Sequence, residues 1–174
     1  RCNEILKRLT LNPVEEDEFI DKDLTMREYL SEIISSFKEI SKKNFIFNYD
    51  QFSNFKKIKK SIEIVYGLLN FIGNANKFSK EKIYINLKSD SEITEITIED
   101  DGNGYPRDVL SKIGEPYLRS KDPIEKSKIG LWLGLFIGKT LLEKNFASIN
   151  RRNSETRGGA EVIIKWNNKD LFNI

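Results

Sequence analysis

The sequence has 174 residues, enough for one domain with its own core. Hydrophobic residues make up 39% and charged residues 32%, an ordinary globular profile, and a formal net charge of +2 does not point to nucleic acid or membrane. The absence of histidine excludes His-dependent triads, His-containing zinc sites and self-contained phosphohistidine chemistry, and the single cysteine, Cys2, excludes an internal disulfide and suits a reducing compartment.

The chain opens at Arg1 and its one methionine is Met26, so it reads as a fragment of a longer protein. No apolar run is long enough to span a bilayer. From Arg1 to Leu11, apolar Ile5, Leu6 and Leu9 predict the end of a helix that Asn12-Pro13 stops. The acidic stretch after Pro13 reads as a linker. Thr25 caps a second predicted helix, Met26 to Lys43, with Tyr29, Leu30, Ile33, Ile34 and Phe37 on one face. A strand is expected over Phe45–Tyr49, an amphipathic helix over Ser61–Phe78, and a hairpin from Lys82–Lys88 and Glu92–Asp100, turning near Ser89-Asp90-Ser91.

Gly102 to Lys128, rich in glycine, proline and charge, reads as a long functional loop with a helical turn near Val109-Leu110. An apolar helix is expected over Gly130–Asn145, then strands over Ala147–Arg151 and Ala160–Trp166. Mixed helices and hairpins predict a two-layer α/β sandwich, not a doubly wound parallel sheet.

Three patterns carry chemistry. In the helix from Ser61, residues Ile62, Val65, Leu68, Leu69 and Ile72 share an apolar side, while Asn70, Asn74 and Lys77 fall together opposite it. Carboxamide oxygens suit Mg²⁺ without adding charge, and a lysine one turn on meets a phosphate; the plainer reading is a solvated face. In the strand ending at Asp100, alternation puts the aspartate on the same side as Ile96 and Ile98, where it needs a donor such as the adenine amine. Gly102 and Gly104 then allow a sharp turn and a close backbone approach, and the plainer reading is an Asp-Gly turn. Finally, Gly130 and Gly134 flank the expected start of the last helix, where free N–H groups favour phosphate; the alternative is close helix packing.

The order of these patterns resembles that of sensor histidine kinases. Asn70 to Phe78 is similar to their N box, Asp100-Asp101-Gly102-Asn103-Gly104 to the G1 box, and Gly114-Glu115-Pro116-Tyr117-Leu118-Arg119 to the F box. Gly130-Leu131-Trp132-Leu133-Gly134-Leu135 resembles the G2 box, and Gly158-Gly159-Ala160 the last glycine motif. The resemblance runs from about Thr25 to Trp166. It implies the ATP-binding fold shared with gyrase, ninety-kilodalton heat-shock chaperones and mismatch-repair ATPases: a mixed, mainly antiparallel sheet with three main helices on one face.

It also implies ATP and Mg²⁺ as cofactors. Asn74 would ligate Mg²⁺, Asn70 and Lys77 would meet phosphates, Phe78 would pack near the nucleotide, and Asp100 would read the adenine amine. Gly102, Gly104, Gly130, Leu131, Gly134 and Leu135 would shape the pocket and lid, with Arg119 as a lid cation. Asn70 stands where hydrolytic relatives resemble one another in carrying a water-activating glutamate, and a carboxamide is no general base. Phosphoryl transfer to a histidine outside the sequence is therefore expected, with a hydrolytic ATPase as the disfavoured alternative.

The opening Arg1-Cys2-Asn3-Glu4-Ile5-Leu6 looks like kinases of the RegB/PrrB redox-responsive type. On that resemblance residues 1–12 end the second dimerisation helix, 13–24 form a linker and 25–174 the catalytic domain. Cys2 would be a redox sensor, or else an ordinary helical cysteine. The implied partners are the histidine-bearing dimerisation domain, a response regulator and a second copy in a homodimer, with no direct nucleic-acid contact. The implied location is the cytoplasmic side of a protein anchored in the bacterial inner membrane. Trp132 departs from the family, which carries glycine there. The bulk leaves three outcomes: a repacked active lid, weak nucleotide binding, or a degenerate, non-catalytic nucleotide-sensing module.

Overall fold

In a computed structural model, residues 23–50, 56–59, 61–106, 110 and 123–174 are described, the side chains of 123–133 excepted. The expected helix over residues 1–12, the expected linker over 13–24 as far as residue 22, Cys2 and the expected motif over 114–119 with its Arg119 lie outside the described residues.

Strands β1 (Leu24–Thr25) and β3 (Lys57–Ile58) form a two-stranded antiparallel pair, with Leu24 opposite Ile58. Between them come helix α1 (Met26–Ile40) and strand β2 (Asn44–Tyr49). Helix α2 (Ile62–Phe78) leads to the hairpin β4 (Lys82–Ser89) and β5 (Ile93–Asp100). Helix α3 (Pro123–Lys144), strands β6 (Ser148–Asn153) and β7 (Ala160–Asn167) and the short α4 (Asn168–Leu171) complete the fold. The main sheet runs β2-β4-β5-β7-β6, parallel only between β2 and β4. This is the mixed, mainly antiparallel sandwich the sequence predicts.

Alternation explains the layers. Ile83, Ile85, Leu87, Ile96, Ile98, Val162, Ile164 and Trp166 are buried along one sheet face. Their neighbours Tyr84, Asn86, Thr97 and Ile163 are half-buried on the other. Helices α1, α2 and α3 close the apolar face. Thr25 and Glu28 make a reciprocal capping box that starts α1. That helix ends at Ile40, not Lys43, because Ser41 caps it and donates to Asn76 Oδ1 at 2.6 Å. Ser61 caps α2 and also donates to Asn145 Oδ1 at 3.1 Å, tying the start of α2 to the end of α3. Buried Trp166 uses its one polar atom in the same place, donating to the Asn145 carbonyl at 3.0 Å.

Two expectations are corrected. Ile62, expected on the buried side of α2, is 59% exposed, because it is the first helical residue and projects before the helix reaches the core. Helix α3 begins at Pro123, whose fixed φ suits a first helical position, so Gly130 and Gly134 lie inside the helix and not at its start. Among the described residues, no helix is long and apolar enough to cross a membrane.

Helices α2 and α3 run antiparallel and meet through glycine. A Cβ at Gly67 would stand 2.5 Å from both Cγ and Cδ2 of Leu142, and one at Gly138 would stand 3.0 Å from the Phe71 ring. Gly67→Ala is therefore expected to destabilise by about 1–2 kcal/mol in urea unfolding, overpacking outweighing the helix-propensity gain. Leu142→Ala alone should cost about 2–5 kcal/mol. The double variant should cost less than the sum, because one change vacates the space the other fills. A more stable Gly67→Ala would contradict this packing.

Candidate functional site

Asp100 ends β5 on the core side, as alternation requires, and is 3% exposed. Its Oδ1 accepts from the backbone N–H of Gly102 at 2.8 Å and of Ala160 at 3.2 Å. The approach needs glycine twice. A Cβ at Gly159 would lie 2.0 Å from the Asp100 carbonyl oxygen, and one at Gly102 would lie 2.3 Å from the Phe78 carbonyl oxygen. Among the described residues no donor reaches Oδ2, and Asp100 lines a cavity of about 230 Å³. Phe71, Ala75, Ile98 and Val162 give that cavity apolar walls, and Phe78 and Tyr105 flank it. Asn74, Asn103 and Gly104 also line it. An acceptor in a largely apolar slot is fitted to a flat heterocycle that carries a donor.

Neighbouring Asp101 does different work. Its carboxylate accepts from the backbone N–H groups of Lys80 (2.8 Å), Glu81 (3.1 Å) and Lys82 (3.0 Å), fixing the turn between α2 and β4. Burial raises the Asp101 pKa, but these donors outweigh it and hold the carboxyl below its ordinary value. For Asp100 burial wins over its two backbone donors, with repulsion from Asp101 adding, so its carboxyl sits above the ordinary value.

The polar stripe of α2 points from the cavity toward α3. Asn70 donates from Nδ2 to the Tyr66 carbonyl at 2.8 Å, which leaves its Oδ1 and its second Nδ2 hydrogen for other partners. A Cβ at Gly134 would meet Asn74 Nδ2 at 3.3 Å, Asn74 Oδ1 at 3.4 Å and Asn70 Oδ1 at 3.6 Å. Both carboxamides therefore converge on the backbone of α3. Among the described residues, Asn74 Nδ2 is buried there with no hydrogen-bond partner. Lys77 is exposed, its Nζ 5.1 Å from the centre of the Phe78 ring, which is itself 39% exposed.

The structure thus brings Asn74, Phe78, Asp100 and Gly104 to one cavity, with Gly102 behind Asp100, Asn70 one turn along α2 and Lys77 beside Phe78. Gly134 sits against the carboxamides but in mid-helix, where its N–H belongs to the helix ladder and is not a free phosphate donor. Leu135, expected beside the nucleotide, is buried in the core. Gly130 and Leu131 lie in α3. Sequence reasoning missed Tyr105, whose signal was an aromatic between Gly104 and Pro106, and Asn153, whose place at a strand end gave no signal.

A raised carboxyl pKa means the folded chain binds the Asp100 proton more tightly than the unfolded chain does. That carboxylate costs stability above its folded pKa, and the cost vanishes as pH falls below the unfolded value. Asp100→Asn keeps an acceptor for Gly102 and Ala160 without the charge. Its stability relative to wild type, read by urea unfolding, should grow as pH rises from about 4 to 7. A difference that is flat or shrinks with pH would contradict this electrostatic picture.

Residues 59–170 match the family described as histidine kinase-, DNA gyrase B- and HSP90-like ATPase. The sensor histidine kinase RegB of Cereibacter sphaeroides is 36% identical over 119 residues, covering 60% of this chain and 26% of the relative. The chain therefore matches about a quarter of that relative's length. In fold it is similar to the catalytic domain of histidine kinase ThkA in a nucleotide-free form, with a TM-score of 0.67, 21% identity, and 84% and 96% of the two chains covered. A mycobacterial sensor histidine kinase, MprB, superposes with a TM-score of 0.64 at 20% identity, covering 84% and 97%. The chain belongs to the histidine kinase-, DNA gyrase B- and HSP90-like ATPase family, and is an ATP-binding domain of the sensor histidine kinase kind.

Proposed function

We propose that the chain positions Mg·ATP and transfers its γ-phosphoryl group to a histidine on a dimerisation domain outside this sequence. The observation that carries the reading is Asp100, with Oδ1 committed to backbone donors and Oδ2 left for a ligand in the cavity that Asn74 and Phe78 also line. In this reading Oδ2 accepts from the exocyclic amine of adenine, and Phe78 packs near the nucleotide. Asn70, Lys77 and Arg119 meet the phosphates.

The chemistry of the Asn70 and Asn74 carboxamides, once uncovered from α3, suits a divalent cation. Both offer neutral oxygens, which suit Mg²⁺ when ATP supplies the charge. Bound Mg²⁺ would neutralise charge developing on the phosphates. Asn70 spends one of its two Nδ2 hydrogens on Tyr66, keeps the other for a phosphate oxygen, and has no basic oxygen to activate water, which favours transfer over hydrolysis. The transfer breaks the bond from the γ-phosphorus to the β–γ bridging oxygen and forms one to the histidine nitrogen, with ADP leaving. The chain's part is alignment and charge stabilisation.

By its likeness to RegB, the whole protein would be a homodimer anchored in the inner membrane, with this domain on the cytoplasmic side. A response-regulator aspartate would receive the phosphoryl group next. Residues 1–12 would end a dimerisation helix and 13–24 link it to the catalytic domain, with Cys2 as a redox sensor.

Labelled ATP, supplied with the chain and a separate histidine-bearing dimerisation domain, should put label on that domain. Asn74→Ala should slow the transfer by at least about a hundredfold. Mg·ATP binding without transfer would favour the non-catalytic sensing module suggested by Trp132. Rapid phosphate release without acceptor would favour a hydrolytic ATPase.

A further inference from the structure

Gly104 turns the chain at φ +73°, directly against Asn153 at the end of β6. The Asn153 side chain reads the backbone of the next residue at both ends: Oδ1 accepts from the Tyr105 N–H at 2.6 Å, and Nδ2 donates to the Tyr105 carbonyl at 3.1 Å. A carboxamide thus substitutes for a strand partner where no strand runs. Asn153 is held from behind by other means. It pairs with Ala160 across the β6–β7 ladder. The turn after it is tied to Glu99, through Ser154 Oγ at 2.9 Å and Arg157 Nε at 3.4 Å. Ala160 in turn gives its N–H to Asp100.

These contacts close a ring around the cavity. Asp100 holds Ala160, Ala160 pairs with Asn153, Asn153 clamps Tyr105, and Tyr105 lines the same cavity as Asp100. A Cβ at Gly104 would stand 2.7 Å from Asn153 Oδ1, so the clamp and the glycine turn require one another. Asn153 is itself exposed, so truncating it removes hydrogen bonds without opening the core.

We propose that Asn153 is a positioning residue for the nucleotide base, fixing Asn103–Pro106 as the cavity wall opposite α2 through its two-point clamp on Tyr105. The inference rests on the reading of this cavity as the adenine site.

The test compares wild type, Asn153→Ala and Asn153→Asp in the full chain, using ADP titration by calorimetry, thermal unfolding without ligand, and hydrogen exchange at the Tyr105 amide. Asn153→Ala should weaken ADP binding about fivefold to tenfold, the effect of one or two lost hydrogen bonds. It should speed exchange at Tyr105 and lower the melting temperature by no more than a few degrees. Asn153→Asp keeps the acceptor for the Tyr105 N–H, so it should restore slow exchange there and recover part of the ADP affinity. Unchanged ADP affinity in Asn153→Ala would overturn the inference alone. So would a weakening matched by a large fall in melting temperature, which would mark Asn153 as merely structural. A wild-type chain that binds no ADP would overturn both this inference and the nucleotide reading beneath it.

Discussion

The site depends on how one carboxylate is divided. Asp100 gives Oδ1 to two backbone N–H groups, and the chain comes close enough only because Gly102 and Gly159 carry no Cβ. Oδ2 is then left as an acceptor in apolar surroundings. Burial of the carboxylate is unfavourable, and the raised pKa of Asp100 expresses that cost, with repulsion from Asp101 adding to it. A ligand donor would relieve it. The domain thus accepts some instability at this strand end, a common exchange at binding sites. Asp101, one residue on, is spent wholly on holding a turn, so two adjacent carboxylates have separate tasks set by their donors.

Helix α2 connects this acceptor to the rest of the site. Its apolar side packs on the sheet, which fixes Phe71 and Ala75 as cavity walls. Its glycine Gly67 and the facing Gly138 let α3 approach closely. That approach brings the backbone at Gly134 against Asn70 and Asn74 and leaves Asn74 Nδ2 buried without a partner among the described residues. The same close packing that stabilises the helix pair therefore covers the carboxamides proposed to hold Mg²⁺. On the proposed reading, binding Mg·ATP must move either the start of α3 or those side chains.

Much of this was legible in the sequence, and for identifiable reasons. A period of two put Asp100 inward with Ile96 and Ile98, and the structure buries all three. A period of 3.6 gathered Asn70, Asn74 and Lys77, and Thr25 marked a helix start through its hydroxyl. Local pattern failed where tertiary context decides. Ile62 satisfies the apolar period but sits ahead of the core, and Leu135 shares a motif with pocket residues yet turns into the core. The start of α3 was hidden because glycines usually mark helix ends, whereas here they serve packing between helices. The β1–β3 pair is too short to show a period. The Asn153 clamp on Tyr105 joins residues 48 apart in sequence, a distance at which no local rule operates.

In the proposed complex, Asp100 Oδ2 reads the donor on C6 of the purine. The most direct test is a pair of calorimetric titrations of the wild-type chain with Mg²⁺ present, one with ATP and one with inosine triphosphate. The two ligands share their phosphates and ribose and differ at C6, where the amine becomes a carbonyl and the ring N1 gains a proton. ATP should bind at least about a hundredfold more tightly, since the carbonyl would set one acceptor against another in a buried site. Equal affinity for the two nucleotides would contradict it.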